Sequence, residues 1–374
     1  MPIYIAQEAV CSAYEQDQQS IAERTPNFMS EAFTTISAFL VSCVNAAPDR
    51  DAVASVRDWF AIRTHPGLVR QENQDRVIVA RWSQRDEQCW AVAVADGIGS
   101  GKAGAEAAAT ALAAFIGALV DTGERSMDAR LAKAGERANE VVYRRWRGKE
   151  GTTLSSVYVC NGRASLVNIG DSRIYGIDRE GETQLLTRDD VLPTLPGNLL
   201  QFVGMGQDLV PHVSVVPSRV ARVLLTSDGV HNYVNPLLPH LVRAASTDAR
   251  LLVDRLTHLS VWCGGADNST CALAAVAGRA FGSAQAETVL DVWTPGIHHR
   301  MSIGMESLRR AKSRRRDGAS PPRAKPDSNP RVPAAGRESE PQRAARAPRP
   351  SVTMAFDDDQ APPPTPAVPE RDKH

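Results

Sequence analysis

The sequence lacks most features that would assign a partner from composition alone. Across 374 residues, 43 Lys and Arg are matched by 43 Asp and Glu. The formal net charge is therefore zero, and no global field draws the chain to nucleic acid or an anionic membrane. Its six cysteines, Cys11, Cys43, Cys89, Cys160, Cys263 and Cys271, show no CxxC or CxH spacing. A zinc or disulfide framework is not expected, and the thiols read as those of a reducing, cytoplasmic compartment. The N-terminal region lacks an unbroken apolar run too. Phe28 to Ala47 is mildly apolar, but Glu31, Asn45 and several Ser and Thr interrupt it, and no basic segment stands immediately before it. Neither a membrane span nor a signal peptide is expected there. A helix packed on the main domain is.

What remains is an ordinary globular composition, 43% apolar and 23% charged, with room for one to three domains. We read residues 1–55 as a partly helical extension, 56–280 as the folded domain and 281–374 as a disordered Pro/Arg-rich tail. Thirteen of the 24 prolines lie after Ser320, a composition that cannot bury enough apolar surface to offset the entropy of ordering. Arg300 to Arg316 holds seven Arg or Lys against one Glu, with no aromatic residues between them to stack on bases, and reads as a solvated basic tail.

Within the folded part, Trp90 to Ala95 is a short apolar run suited to a strand buried on both faces. It ends in Asp96, then glycines at 97, 99 and 101, then an alanine-rich helix over about Ala103–Leu119. A second helix is expected at about Met127–Arg147 and a third at Asp248–Trp262. Strands are expected at Phe60–Thr64, Arg76–Trp82, Thr153–Cys160, Ala164–Ile169, Arg173–Ile177, Gln184–Thr187, Ala221–Ser227 and, as the last of them, Thr270–Val276. Helices among many antiparallel strands give an α+β sandwich with the helices outside.

Carboxylates recur in matching contexts. Asp96 and Asp228 each follow an apolar strand and precede Gly; Asp267 precedes Asn268 and the last expected strand; Asp75 closes the first loop. One strand-end Asp is an ordinary cap. Several of them point to strand ends converging on a hard cation, because carboxylates ~4 Å apart repel by about 4 kcal/mol per pair at an effective dielectric near 20. Oxygen donors without nearby His or Cys favour Mg²⁺ or Mn²⁺ over Zn²⁺.

The set Arg70-x-x-Asn73-Gln74-Asp75, Asp96-Gly97-Ile98-Gly99, Gly151-Thr152-Thr153, Asn168 to Tyr175, Leu225 to Gly229 and Asp267 to Thr270 resembles the metal-dependent protein phosphatases of the 2C family in their bacterial form. The likeness covers about residues 58–278. It implies a central antiparallel β-sandwich flanked by helices on both faces. It also implies a protein-serine/threonine phosphatase that hydrolyses phosphoserine and phosphothreonine by direct attack of a metal-bridging water, at a centre of two Mn²⁺ or Mg²⁺ ions. Carried over, Asp96 bridges both metals and the Gly97 carbonyl ligates the second. Asp228 and Asp267 complete the first metal's shell, Gln74 and Asp75 hold metal-bound waters, and Arg70 holds the substrate phosphate. Asp171 is expected to brace the fold.

Departures from the family pattern shape these expectations. Gln74 stands where some members carry Glu, which weakens the second site. Ile98 replaces a His proposed as general acid, leaving His65 and His231 as loop candidates for the proton source. Trp146-Arg147-Gly148-Lys149-Glu150 lacks the Asp of a third metal site, so a third ion is not expected. The short segment between Thr187 and Asn198 implies an opened cleft. Phosphoprotein substrates and an opposing Ser/Thr kinase are the expected partners of a monomer that engages neither membrane nor nucleic acid. Gly97 to Ala103 is one residue short of a phosphate-binding P-loop and has Ala103 where Ser or Thr must hold Mg²⁺. The alternative from another class is a non-catalytic phosphatase-like domain that binds a phosphoprotein or kinase.

Overall fold

Ser30 opens the first helix among the described residues by accepting a hydrogen bond from the Phe33 N–H at 2.9 Å, the cap that an N-terminal Ser supplies. This structure, a computed structural model, describes residues 30–47, 49–84, 87–124, 126–192, 195–245, 248–276 and 288–303. Helix α1 (Glu31–Asn45) leads into β1 (Ala52–Val56), β2 (Phe60–His65), β3 (Arg76–Gln84), β4 (Glu87–Ala95) and the short β5 (Gly97–Ile98). Two long helices follow, α2 (Lys102–Val120) and α3 (Met127–Trp146). Then come β6 (Gly151–Thr152), β7 (Leu154–Cys160), β8 (Arg163–Ile169), β9 (Arg173–Ile177), β10 (Thr183–Leu185), β11 (Val191–Leu192), β12 (Leu195–Leu199), β13 (His212–Val215) and β14 (Arg222–Thr226). Helices α4 (Asp228–Val234), α5 (Leu238–Ala245) and α6 (Ala249–Trp262) precede β15 (Ser269–Ala275), β16 (Thr288–Thr294) and β17 (Ile297–Ile303).

Two antiparallel sheets stack face to face. One has the order β1-β2-β15-β14-β9-β10, the other β13-β8-β7-β4-β3-β16-β17. Strand alternation explains the unbroken apolar runs, since successive side chains point to opposite faces. Along β3, Val77 and Val79 enter the layer between the sheets with Trp90, Val92, Leu225 and Ala272. Ile78 and Ala80 face outward onto α1, α2 and α3, where Ile36, Leu40, Leu112 and Phe115 cover them. The other sheet is covered by α4, α5 and α6 through Val230, Val242, Leu252 and Leu256. The αββα sandwich read from the sequence is the observed fold. Helix α2 is long and apolar enough to cross a membrane, yet 83% of its apolar window is buried, and it serves as a core helix.

The folded part extends beyond both boundaries expected from the sequence. Helix α1 packs on the main domain as expected, and strand β1 adds an edge strand to the sheet ahead of residue 56. At the other end β15 is not the last strand. Strand β16 pairs with β3, and β17 pairs with β16, so the sheet gains two strands after residue 280. Asp291 makes this possible: it is buried in mid-strand and its charge is met by Arg81 at 2.6 Å, Arg300 at 2.7 Å and His298 at 3.1 Å. Arg300, read above as the start of a basic tail, is thus a strand residue. The tail from 304 onward lies outside the described residues, as do residues 1–29.

Candidate metal centre

The register of the sheets carries the acidic residues to one end of the sandwich. Arg76 pairs with Ala95, so Asp75 just before β3 and Asp96 just after β4 are neighbours. Thr226 pairs with Cys271; Asp228 after β14 and Asp267 before β15 are brought together in the same way. The two sheets are joined at this point by Ser227, whose hydroxyl donates to Asp75 Oδ2 at 2.8 Å and accepts the Thr270 N–H at 3.0 Å. The structure therefore brings all four carboxylates of the sequence reading into one electrostatic cluster.

Close backbone approach accounts for two of the glycines. A Cβ on Gly97 would lie 2.4 Å from the Gly104 carbonyl oxygen, and one on Gly229 2.0 Å from that of Asn268. Both would force the Asp-Gly turns apart. Asp96 is fixed through its backbone: its N–H donates to Thr153 Oγ1 at 2.9 Å, and its carbonyl accepts from Thr152 Oγ1 at 2.7 Å and the Thr153 N–H at 2.9 Å. These bonds explain the Gly151-Thr152-Thr153 motif. Its threonines hold the loop that carries Asp96.

Burial without compensation sets the charge state. Asp75 is buried, its Oδ1 has no hydrogen-bond partner, and desolvation with repulsion from Asp228 and Asp267 pushes its pKa up to about 7. Burial, then Asp75, Asp228, Asp171 and Asp267, hold Asp96 well above the carboxylate range. Burial and Asp267 raise Asp228. Asp171, expected only to brace the fold, is raised to about 6 by burial and by Asp228, which places it beside the cluster. A buried group of like charges is stable only when positive charge is supplied.

The donor set fits hard divalent cations. It is all oxygen, it includes a buried carboxylate oxygen with no other partner, and the Gly97 carbonyl lies next to Asp96 in the chain. The carboxylates are not gathered as tightly as a closed ligand shell. Among the described residues, three donor atoms of His, Cys, Asp or Glu lie mutually within 4.8 Å only at Glu87, Cys89 and Cys160. Closing the acidic cluster therefore calls for cations to draw it in.

The remaining site residues of the sequence reading take varied positions. Arg70 is exposed and donates to Asp267 Oδ2 at 2.8 Å. Burial works against its charge, but Asp267, Asp96 and Asp228 outweigh that and raise its pKa. Gln74 turns its side-chain amide away to the Gly99 and Gly101 carbonyls, while its N–H reaches Asn268 Oδ1 at 2.8 Å. Neither candidate proton source keeps its expected loop role. His231 is buried in α4 against Thr226, and His65 ends β2 and accepts the Gly67 N–H at 2.9 Å.

Two residues that the sequence reading did not assign hold the site together. Asn268 accepts from Gln74 and donates to the carbonyls of Pro66 at 2.7 Å and Glu72 at 3.0 Å, stitching the loop of Arg70 to the loop of Asp267. Its place next to Asp267 was the available signal. Glu150, from the segment without a third-metal Asp, accepts the Ser100 N–H at 3.2 Å and so steadies the turn after Gly97.

Comparison with known proteins finds the same arrangement of segments: residues 69–250 match the family model described as Protein phosphatase 2C. The serine/threonine protein phosphatase PstP of Mycobacterium tuberculosis is 28% identical over 257 residues, 60% of this chain and 46% of its own length. The chain thus spans about half the length of the curated relatives it matches. A bacterial serine phosphatase structure superposes with a TM-score of 0.50 at 21% identity, covering 59% of this chain and 99% of its own. The PstP catalytic domain, solved with two manganese ions, gives 0.49 at 26% identity over 60% and 98%.

Proposed function

We propose that this domain is a metal-dependent phosphatase that hydrolyses phosphoserine and phosphothreonine in proteins. The observation that carries the proposal is the convergence of Asp75, Asp96, Asp228 and Asp267, from four separate segments, beneath the exposed guanidinium of Arg70. Asp96, Asp228, Asp267, Asp75 and the Gly97 carbonyl are the groups to hold two Mn²⁺ or Mg²⁺ ions, with Gln74 adjoining them. When bound, such ions supply the positive charge that activates water and neutralises the phosphoryl oxygens.

The chain's own residues do the rest. Arg70 presents a planar fork that suits a phosphate, and its partner Asp267 keeps it over the cluster until substrate arrives. Ser227 and Asn268 fix the loops that carry the acids, so bound cations have only a small adjustment of the carboxylates left to make. The Ser227 hydroxyl is fully buried and engaged by Asp75 and the Thr270 N–H, so it is a brace rather than a nucleophile, which fits direct hydrolysis. The cytoplasm, phosphoprotein substrates, an opposing Ser/Thr kinase and a monomeric state belong to the same proposal.

The test is Mn²⁺-dependent phosphate release from p-nitrophenyl phosphate and a phosphothreonine peptide. Turnover is expected in the wild type and its loss, by a hundredfold or more, in Asp96→Asn. Full metal occupancy with no turnover on either substrate would make the domain a binding module instead.

A further inference from the structure

The tight group Glu87, Cys89 and Cys160 lies far from the acidic mouth. Cys89 and Cys160 are direct partners across the β4–β7 ladder. In the next pair outward, the Asn161 N–H donates to the Gln88 carbonyl at 3.0 Å. The two cysteines therefore occupy a non-hydrogen-bonded pair, where opposed Cα atoms stand about 4.5 Å apart. A disulfide spans Cα separations of roughly 4.4–6.8 Å, so a bond between them needs little backbone movement.

Polar groups differentiate the two sulfurs. The Tyr158 hydroxyl donates to Cys89 Sγ at 3.2 Å. Arg130, in the first turn of α3, points Nη1 at Cys160 Sγ at 3.8 Å and at the Tyr158 hydroxyl at 3.0 Å. The same guanidinium is clamped by Glu87 at 2.9 and 3.1 Å and by the Glu124 carbonyl at 2.8 Å. A fixed cation beside a sulfur favours the thiolate, the nucleophilic form. Hydrogen bonding from Cys89 and then Tyr158, with a smaller contribution from Arg130, outweighs burial and the Glu87 charge and holds Cys160 below the ordinary thiol range. The same contact, with burial, raises Cys89. The Arg130 contact thus marks Cys160 as the sulfur to attack and Cys89 as the one to resolve. Cys160 is buried, as is Cys89, but it ends its strand next to the exposed turn Asn161–Gly162, the side from which a water-sized oxidant would enter. A metal ion suits the group less well, because Arg130 already places positive charge on Glu87 and beside Cys160.

We propose that Cys89 and Cys160 form a reversible dithiol–disulfide site, oxidised by a hydroperoxide. The Cys160 thiolate attacks the peroxide oxygen, the O–O bond breaks, and the departing hydroxide (or alkoxide) takes up a proton, leaving a sulfenic acid. Cys89 then forms the S–S bond as the S–OH bond breaks and its own thiol proton leaves with the hydroxide as water. The pair loses two electrons and the peroxide gains them. Cys89 and Asp96 are seven residue steps apart along the strand, about 23 Å at 3.3 Å per step, so the site is separate from the acidic cluster.

The experiment treats the reduced full chain with hydrogen peroxide, blocks residual thiols, digests it without reductant and reads the peptides by mass spectrometry. A Cys89–Cys160 cross-link that dithiothreitol reverses is expected. In Cys89→Ser, dimedone should trap a sulfenic acid at Cys160; in Cys160→Ser, none should appear at Cys89. Arg130→Met should slow oxidation at neutral pH several-fold, with the difference closing at high pH. Phosphate release by the reduced cysteine variants should match the wild type, so this proposal can fail independently of the phosphatase assignment. The absence of a cross-link at peroxide doses that oxidise the exposed Cys263 would overturn the proposal. One equivalent of Zn²⁺ bound by the wild type and lost in Cys160→Ser would also overturn it, in favour of a metal site.

Discussion

Replacing Asp75 with Asn should stabilise the metal-free protein and weaken its response to metal. Asp75 is 1% exposed, Ser227 satisfies one of its oxygens, and the other has no hydrogen-bond partner. Burial, reinforced by Asp228 and Asp267, raises its folded pKa from 3.8 to about 7. Between those values the folded state binds more protons than the unfolded state, so stability falls as pH rises through the window and levels off above it. Three pKa units correspond to about 4 kcal/mol. Neighbouring carboxylates titrate with it, so about 2–4 kcal/mol is the range expected for this one charge.

The Asn side chain keeps the volume and removes the charge. In chelator at pH 8, Asp75→Asn should therefore exceed the wild type in unfolding free energy by that amount, and the gap should narrow as pH falls below 7 and close only near the lower pKa, at about pH 4. Excess Mn²⁺ should favour the wild type, which gains about 2.7 kcal/mol at a hundredfold excess over Kd, while the variant gains less. Urea unfolding followed by fluorescence of the buried Trp59, Trp90 and Trp293 measures both arms. If the variant is no more stable than the wild type in chelator at pH 8, or if Mn²⁺ stabilises both equally, the acidic cluster is not a cation site.

Arg70→Ala should raise KM for a phosphothreonine peptide about tenfold with a smaller change in kcat, since a charge-assisted contact contributes about 1.5–3 kcal/mol; an unchanged KM in steady-state kinetics would remove its phosphate-holding role. Truncation after Gly282 should abolish cooperative unfolding, because it deletes the buried Leu290, Val292 and Trp293 and opens the edge of β3, whereas truncation after Ile303 should leave the circular dichroism melt intact. Leu290→Ala alone should cost about 2–5 kcal/mol, measured in the same melt. Burial, then Arg173, lowers His231 to about 3: the unfolded chain binds the extra proton below 6.5, so stability falls as pH drops from 6.5 toward 3. At pH 5 that amounts to about 2 kcal/mol, and His231→Asn should flatten this part of the curve; a parallel pH profile in the variant would refute it.

The pattern of what could be read from the sequence follows from the geometry of β-structure. Asp96 and Asp228 were legible because an apolar strand ending in Asp-Gly states both the strand and its exit within a few residues. The αββα layering was legible because β3 and β4 are apolar on both faces, which requires cover on each side. The hairpin after residue 280 was not legible, because it depends on Asp291. A carboxylate in mid-strand reads as a breaker unless Arg81 and Arg300 are known to stand opposite it, and only the register supplies them. Cys89 and Cys160 pose the same problem: 70 residues separate them in the chain, and a ladder makes them neighbours. Spacing motifs such as CxxC detect ligands that one turn can gather. An antiparallel sheet gathers residues at any separation, and it does so by a rule, the constant sum of paired residue numbers, that becomes readable once a single pair is known. The Asp75–Asp96 approach and the Cys89–Cys160 pairing are two consequences of β4 lying between β3 and β7. A one-residue slip of that strand would therefore disrupt the acidic mouth and the thiol pair together.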